Sequence, residues 1–252
     1  MLELFETNPN VVVPEAEYQR LLGYPRKFVM TGRARELADA ARNWFSENGR
    51  PWFYAREVGE IQLANGGLSI GGVEFSSQRL HDLFAESGAR SAMLAAVSAG
   101  GECEGKAREL WQAEKPDEYF FLETFGSAVA EHLIALASGS ICAWADRLGT
   151  AALPHHGPGY SGWHVSDQNK LWNLIRANRA TDLDGRLGVL ESGMLRPKKS
   201  LLAVIGLTRD LENARRFVRL TACETCSLAG CKYRRAPQAN WVNHFETVHR
   251  KD

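Results

Sequence analysis

His155-His156-Gly157-Pro158-Gly159-Tyr160-Ser161-Gly162-Trp163 is followed about thirty residues on by Glu191-Ser192-Gly193-Met194-Leu195-Arg196-Pro197-Lys198-Lys199-Ser200. In the first stretch two glycines flank a proline just before a tyrosine. Glycine lets backbone amides approach a ligand closely because it has no Cβ, and proline fixes one dihedral. The same residues also make a good turn with Tyr160 packed beneath it. The second stretch sets Pro-Lys-Lys-Ser directly before an apolar run, Leu201 to Leu207, which reads as a buried strand.

The surrounding sequence sets limits. The chain has 252 residues, enough for one large domain or two small ones. Thirty Lys and Arg balance thirty Asp and Glu. A neutral chain has no general attraction for nucleic acid or for an anionic membrane. No unbroken apolar run approaches the ~20 residues of a membrane span. The acidic start, Met1-Leu2-Glu3-Leu4-Phe5-Glu6, lacks the basic opening of a signal peptide. Five cysteines, three of them within nine positions, argue for a reducing, cytoplasmic setting and a metal or redox site.

Read for elements, Thr31 caps a helix to Asn48, with Leu37, Ala38, Ala41, Trp44 and Phe45 on one face and Gly49 and Pro51 stopping it. Ile61/Leu63 and Leu68/Ile70 alternate with polar residues about Asn65-Gly66, a hairpin signal. Ser76 or Ser77 caps a short helix through Phe84, and Met93–Val97 is a short buried strand. A long helix runs from about Asp117 into the 140s, with Gly126 weakening it. Residues 149–165 read as a loop, and Ser166 as the cap of a helix carrying Leu171, Leu174 and Ile175. Leu187–Leu190 and Leu201–Leu207 read as two core strands joined through Arg196-Pro197. Separate helices and hairpin-like strands indicate an α+β fold. Residues 1–220 then form one domain, and 221–252 a small cysteine-rich C-terminal module.

In that module Cys223-x2-Cys226-x4-Cys231 can converge on one ion, and Arg234 and Arg235 favour the thiolate form. His244 and His249 follow at finger-like zinc spacing. Zinc, an iron–sulfur cluster and free thiols all fit these residues. Cys103 and Cys142 stand apart and read as plain buried thiols. No Ser/His/Asp or paired-carboxylate arrangement points to independent hydrolysis, so no catalytic residue is assigned.

Further motifs are Tyr18-Gln19-Arg20-Leu21-Leu22-Gly23-Tyr24, Ala95-Ala96-Val97-Ser98-Ala99-Gly100 and Gly126-Ser127-Ala128-Val129-Ala130-Glu131. In order and spacing, these, the two opening stretches and the cysteine cluster resemble the activation (reactivation) domain of cobalamin-dependent methionine synthase. They resemble still more the stand-alone proteins built like it. The resemblance implies an antiparallel or mixed sheet with flanking helices. It also implies an accessory role: S-adenosylmethionine is held over cobalamin so that an inactive corrinoid is reductively remethylated. The family loop runs Arg-x-x-Pro-Gly-Tyr. Pro158, Gly159 and Tyr160 match, while His155 stands at the arginine position. A guanidinium is a fixed, permanently charged fork, whereas a histidine offers at most two donors. By resemblance the cofactor-binding set is Glu131, His155, Gly157, Pro158, Gly159, Tyr160, Glu191 and Ser192. Glu123 is a second acidic residue on the helix of Glu131. Lys198, Lys199 and Ser200 read either as an exposed turn or as a rim that meets a corrinoid protein. The chain has no Asp-x-His-x-x-Gly motif, so the cobalamin is expected on a partner, a corrinoid protein or corrinoid-dependent methyltransferase. The alternatives are a non-catalytic corrinoid-protein-binding scaffold and an iron–sulfur or zinc redox protein.

Overall fold

The strand at the centre of the molecule is Ser91-Ala92-Met93-Leu94-Ala95-Ala96-Val97-Ser98, apolar between its two terminal serines, with every residue from Ala92 onward buried. Alternate side chains of a strand face opposite sides of a sheet, so a strand that is apolar at every position must be covered on both faces. The computed structural model describes residues 2–25, 27–64, 67–177 and 180–218, and shows how that cover is built.

The chain runs β1 (Glu3–Thr7), α1 (Glu15–Leu21), α2 (Gly32–Asn48), β2 (Trp52–Val58), β3 (Ile61–Ala64), β4 (Gly67–Ile70) and β5 (Val73–Phe75). It continues through α3 (Gln78–Ser87), β6 (Ser91–Ser98), α4 (Glu102–Gln112), α5 (Pro116–Arg147) and β7 (Ala151–Ala152). A 3-10 turn (Val165–Asp167) precedes α6 (Gln168–Arg176), β8 (Gly188–Val189), β9 (Leu195–Arg196), β10 (Ser200–Thr208) and α7 (Leu211–Val218). The main sheet has the order β1-β2-β6-β10-β7 and is antiparallel throughout. Trp52 and Ser200 both pair with Ser98. Met93, Ala95 and Val97 pack toward Leu37, Phe45, Leu133 and Ile141 of α2 and α5. Leu94 and Ala96 pack toward Phe84, Leu171 and Ile175 of α3 and α6, beneath the small sheet β3-β4-β5.

The helix α5 has 32 residues and lies on the sheet, with Leu133, Ile134 and Ile141 inaccessible to solvent. It is long and apolar enough to cross a membrane by length and composition, a test that a core helix packed on a sheet also passes. Gly126 lowers helix propensity, but a Cβ there would lie 2.8 Å from Cys103 Sγ, so the close crossing of α4 sets that residue. The opening helix is pinned to α5 by the Tyr18 hydroxyl, which donates to the Phe121 carbonyl at 2.7 Å. The Tyr18 ring meets Phe125 in a T-shaped pair at 5.0 Å.

Several expectations hold and others need correction. The helix after Thr31, the hairpin registered on Leu63 and Leu68, and the Ser77 cap on Leu80 N are present. Thr31 takes the cap position but makes no side-chain bond there. Ser166 does not cap α6; Asp167 precedes it, behind the 3-10 turn. Leu187–Leu190 is no core strand: only Gly188–Val189 pairs, and only with Leu195–Arg196, in a separate two-stranded ribbon. Residues 149–165 are not loop alone, because Ala151–Ala152 joins the main sheet beside β10. β1, β2, α4 and α7 were not expected from the sequence. Cys223, Cys226, Cys231, His244 and His249, and with them the 221–252 module, lie outside the described residues.

Candidate functional site

The chain leaving β7 runs alongside β10 before it turns away. Leu153 N–H donates to the Gly206 carbonyl at 2.8 Å. His156 and Val204 exchange both backbone bonds, at 2.9 and 2.8 Å. At the next residue the backbone lies so close to β10 that a Cβ on Gly157 would strike the Leu202 carbonyl oxygen. Gly157-Pro158-Gly159-Tyr160 then closes on itself, with Tyr160 N–H donating to the Gly157 carbonyl at 3.1 Å. Proline at the second position and Gly159 at φ +93° at the third are the signature of a type II turn. Trp163 N–H closes a second turn on the Tyr160 carbonyl at 3.0 Å.

This geometry decides which backbone donors the loop has left. Pro158 has none. Gly159 N–H is taken by the Trp163 carbonyl at 2.9 Å, and Tyr160 N–H by Gly157. Of the four residues from Gly157 to Tyr160, only the Gly157 N–H meets no acceptor among the described residues. The turn expected from the sequence is therefore real, and it narrows the backbone donors to that one.

Side chains fix the loop from below. Trp163 is buried, and its indole N–H donates to Asp167 Oδ2 at 3.0 Å. The same oxygen accepts from Ser76 N–H at 3.0 Å, while Lys170 Nζ lies 3.0 Å from Oδ1. Burial opposes the Asp167 charge, but these partners outweigh it and hold the carboxyl below its usual range. His156 is 6% exposed and stacks on Trp163, ring centroids 5.9 Å apart and 26° from parallel. Its Nε2 is buried without a hydrogen-bond partner among the described residues. Burial, with Arg79 and His155 adding to it, pushes the imidazole down to about 3, so the ring is neutral. Tyr160 is half-buried between the two imidazoles, 6.0 Å from His155 and 5.7 Å from His156.

The second stretch reaches the far end of the same loop. A Cβ on Gly193 would lie 2.9 Å from the Val165 carbonyl oxygen, so the ribbon tip touches the loop there. Glu191 and Ser192 sit exposed at that tip, flanked by Leu190 at 45% and Met194 at 56% exposure. Glu131 lies half-buried on α5, whose core side covers the face of the sheet opposite to the one where Trp163 packs. The acidic residue tied to the β9–β10 connection is Glu123. Its carboxylate lies 2.9 Å from Lys198 Nζ and 3.0 Å from Lys199 Nζ. Lys199 also donates to Ser127 Oγ at 2.9 Å, and the Ser200 hydroxyl to Ser98 Oγ at 2.8 Å. Burial works against the Lys198 ammonium, and Glu123 more than offsets it, raising its pKa. Among the described residues no group of three or more His, Cys, Asp or Glu could hold a metal.

No family profile and no curated protein matches the chain. Among solved structures it is similar to the "MetH Reactivation Domain bound to AdoHcy", with a TM-score of 0.54 at 13% identity. The alignment covers 71% of this chain and 66% of that one. The fold is that of the MetH reactivation domain. The chain spans about two thirds of the length of that reactivation-domain structure, and at this identity the likeness is one of architecture. In this fold the ribbon tip approaches Val165, two residues past Trp163, through Gly193, while Glu191 and Ser192 stand exposed beside it. Asp167, His156 and Glu123 are the anchoring residues that sequence reasoning did not single out, beyond naming Glu123 as an alternative. An aspartate just ahead of a helical run was the one available signal for Asp167.

Proposed function

We propose that this protein binds S-adenosylmethionine at the loop from His155 to Tyr160 and supports reductive remethylation of a corrinoid held by a partner protein. The observation that carries the reading is the type II turn at Gly157-Pro158-Gly159-Tyr160, pressed onto β10 within a reactivation-domain fold. A solved structure of similar fold was determined with AdoHcy bound, which supports an S-adenosyl ligand for this chain. The residues present fit such a group in part. The Gly157 N–H meets no acceptor among the described residues, and Tyr160 offers a half-buried ring. His155 replaces a fixed guanidinium fork with a weaker donor for the ligand carboxylate.

When bound, the sulfonium supplies the methyl group, and the cobalt chemistry belongs to the partner. The part played by this chain is positioning. Stacking of His156 on Trp163 and the Asp167 bonds hold the turn rigid, so the Gly157 donor needs no rearrangement. Leu190 and Met194, exposed beside Glu191 and Ser192 at the ribbon tip, form our proposed face for the corrinoid partner. In the tail, Cys223, Cys226 and Cys231 form the proposed metal centre, zinc or iron–sulfur. It rests on their spacing and is tested by visible spectrum and metal content after purification without air.

Calorimetry with S-adenosylmethionine, with and without a corrinoid protein, tests the main reading. Binding is expected, with His155→Arg tightening it. No heat in either case would remove the ligand and leave the scaffold reading, which His155 at the arginine position favours. Restoration of a methylated-corrinoid spectrum in a mixture of inactive corrinoid methyltransferase, reductant and S-adenosylmethionine tests the partner role.

A further inference from the structure

A second concave region lies at the other end of the main sheet, a cleft of about 530 Å³ lined by the start of β6, the end of β10, the last turn of α5 and the residues entering α7. It is a different place from the loop of His155. Leu202 and Thr208 are six residue steps apart along β10, roughly 20 Å of extended chain.

The charges in this cleft are unevenly committed. Glu57 and Asp210 are its carboxylates, and both are engaged. Glu57 accepts from Leu2 N–H at 3.3 Å. Asp210 caps α7, accepting from Asn213 N–H at 3.0 Å and from Asn213 Nδ2 at 2.7 Å. The threonine hydroxyls point their protons inward, Thr150 to the Ala145 carbonyl at 3.0 Å and Thr208 to the Ser87 carbonyl at 2.7 Å. Arg90 and Arg209, both exposed, also line the cleft. Among the described residues neither guanidinium meets a carboxylate. The lining also has an apolar part: Trp144 is half-buried, and Leu148 is 58% exposed. Leu211, 46% exposed, follows Asp210 at the entrance to α7.

Two guanidinium forks suit an oxyanion, which they can grip through paired N–H donors. A concave site concentrates their field, so an anion gains more there than on open surface. The indole and leucine side chains offer a flat apolar partner to a ring carried by the same molecule. We propose that this cleft binds a small amphipathic anion, a phosphate or carboxylate borne on a flat apolar ring, with Arg90 and Arg209 holding the oxyanion and Trp144 and Leu148 the ring. This site is independent of the S-adenosylmethionine reading.

The full chain is titrated with phenyl phosphate and with benzoate, and with inorganic phosphate and phenol as controls, by calorimetry and by amide chemical shifts at Gly59, Gly88 and Thr150. The arm that binds more tightly identifies the head group. At least one aryl anion is expected to bind with shifts at those amides, and to bind more tightly than inorganic phosphate or phenol. Arg90→Gln and Arg209→Gln are each expected to weaken it about tenfold, the loss of one charge-assisted contact of about 1.4 kcal/mol. Both arginines are exposed, so the variants should keep the native urea midpoint. His155→Ala should leave aryl-anion binding unchanged, which separates failure here from failure of the loop reading. The proposal is overturned if neither aryl anion shifts the cleft amides, if both arginine variants bind as native, or if inorganic phosphate binds as tightly as phenyl phosphate.

Discussion

Replacing His156 with phenylalanine should make the protein more resistant to acid. At pH 8 the imidazole is neutral in both the folded and the unfolded chain. As the pH falls below the ordinary histidine value near 6.5, the unfolded chain takes up a proton. The folded chain refuses that proton until about pH 3, because burial, and then Arg79 and His155, oppose the charge. The unfolded state therefore binds more protons across this window, and stability falls as pH falls from about 6.5 toward 3. The slope approaches about 1.4 kcal/mol per pH unit, and the accumulated loss is about 2 kcal/mol by pH 5. His156→Phe keeps a flat ring against Trp163, abolishes the titration and removes the unpaired buried Nε2. An unpaired buried polar atom costs about 1–3 kcal/mol, so the variant should be no less stable than native even at pH 8. Urea unfolding at pH 8, 6.5 and 5 measures the difference, with other titrating groups cancelling between the two proteins. The native chain should lose about 2 kcal/mol more than the variant between pH 8 and 5. Parallel loss in both proteins would refute the claim that His156 is held neutral by its surroundings.

Gly157→Ala pushes a methyl group into the Leu202 carbonyl and should cost about 1–3 kcal/mol in urea unfolding, with weaker S-adenosylmethionine binding. Gly159→Ala has open space and pays only for its φ of +93°, about 1–2 kcal/mol; equal stability of the two glycine variants with native would contradict both. Glu123→Ala strips the carboxylate from Lys199, only 14% exposed, and should destabilise by about 2 kcal/mol, with Glu123→Gln recovering part of it. Burial, then Glu123, pushes the Cys103 thiol up to about 12, so thiol mapping by mass spectrometry at pH 8 should find it unmodified in the folded chain and reactive in urea.

The sequence made some of this architecture plain and hid the rest for identifiable reasons. β6 and β10 stood out because small apolar residues run unbroken between glycines and serines. β2 did not, because Arg56 and Glu57 interrupt it. Arg56 is nonetheless buried, its guanidinium reaching the Leu174 carbonyl at 2.7 Å across 118 residues of sequence. Leu187–Leu190 looked like a strand because four apolar-rich residues carry no information about whether a partner lies alongside. In the site, Gly-Pro-Gly announced its own turn, since proline and glycine encode dihedrals locally. The residues that hold that turn depend on distant partners. Asp167 is understood only once Ser76 is beside it, and Glu123 only once Lys198 and Lys199 are. The unpaired nitrogen of His156 comes from its surroundings and could not be read from its neighbours in the chain.

The segment from Ala151 to His156 has a consequence beyond ligand binding. On the far side of the sheet, β1 carries Glu3 and Glu6, charges of the kind that discourage a second molecule from adding a strand at an edge. β10 carries no such charge between Leu201 and Leu207. Among the described residues, its outer side is covered by β7, Leu153 and the His156–Val204 bridge. The loop that forms the candidate site is thus also the guard of an aggregation-prone edge. Substitutions that detach it should send protein into the insoluble fraction before any loss of activity can be measured, and the freedom of this loop to adapt to new ligands is bounded by solubility.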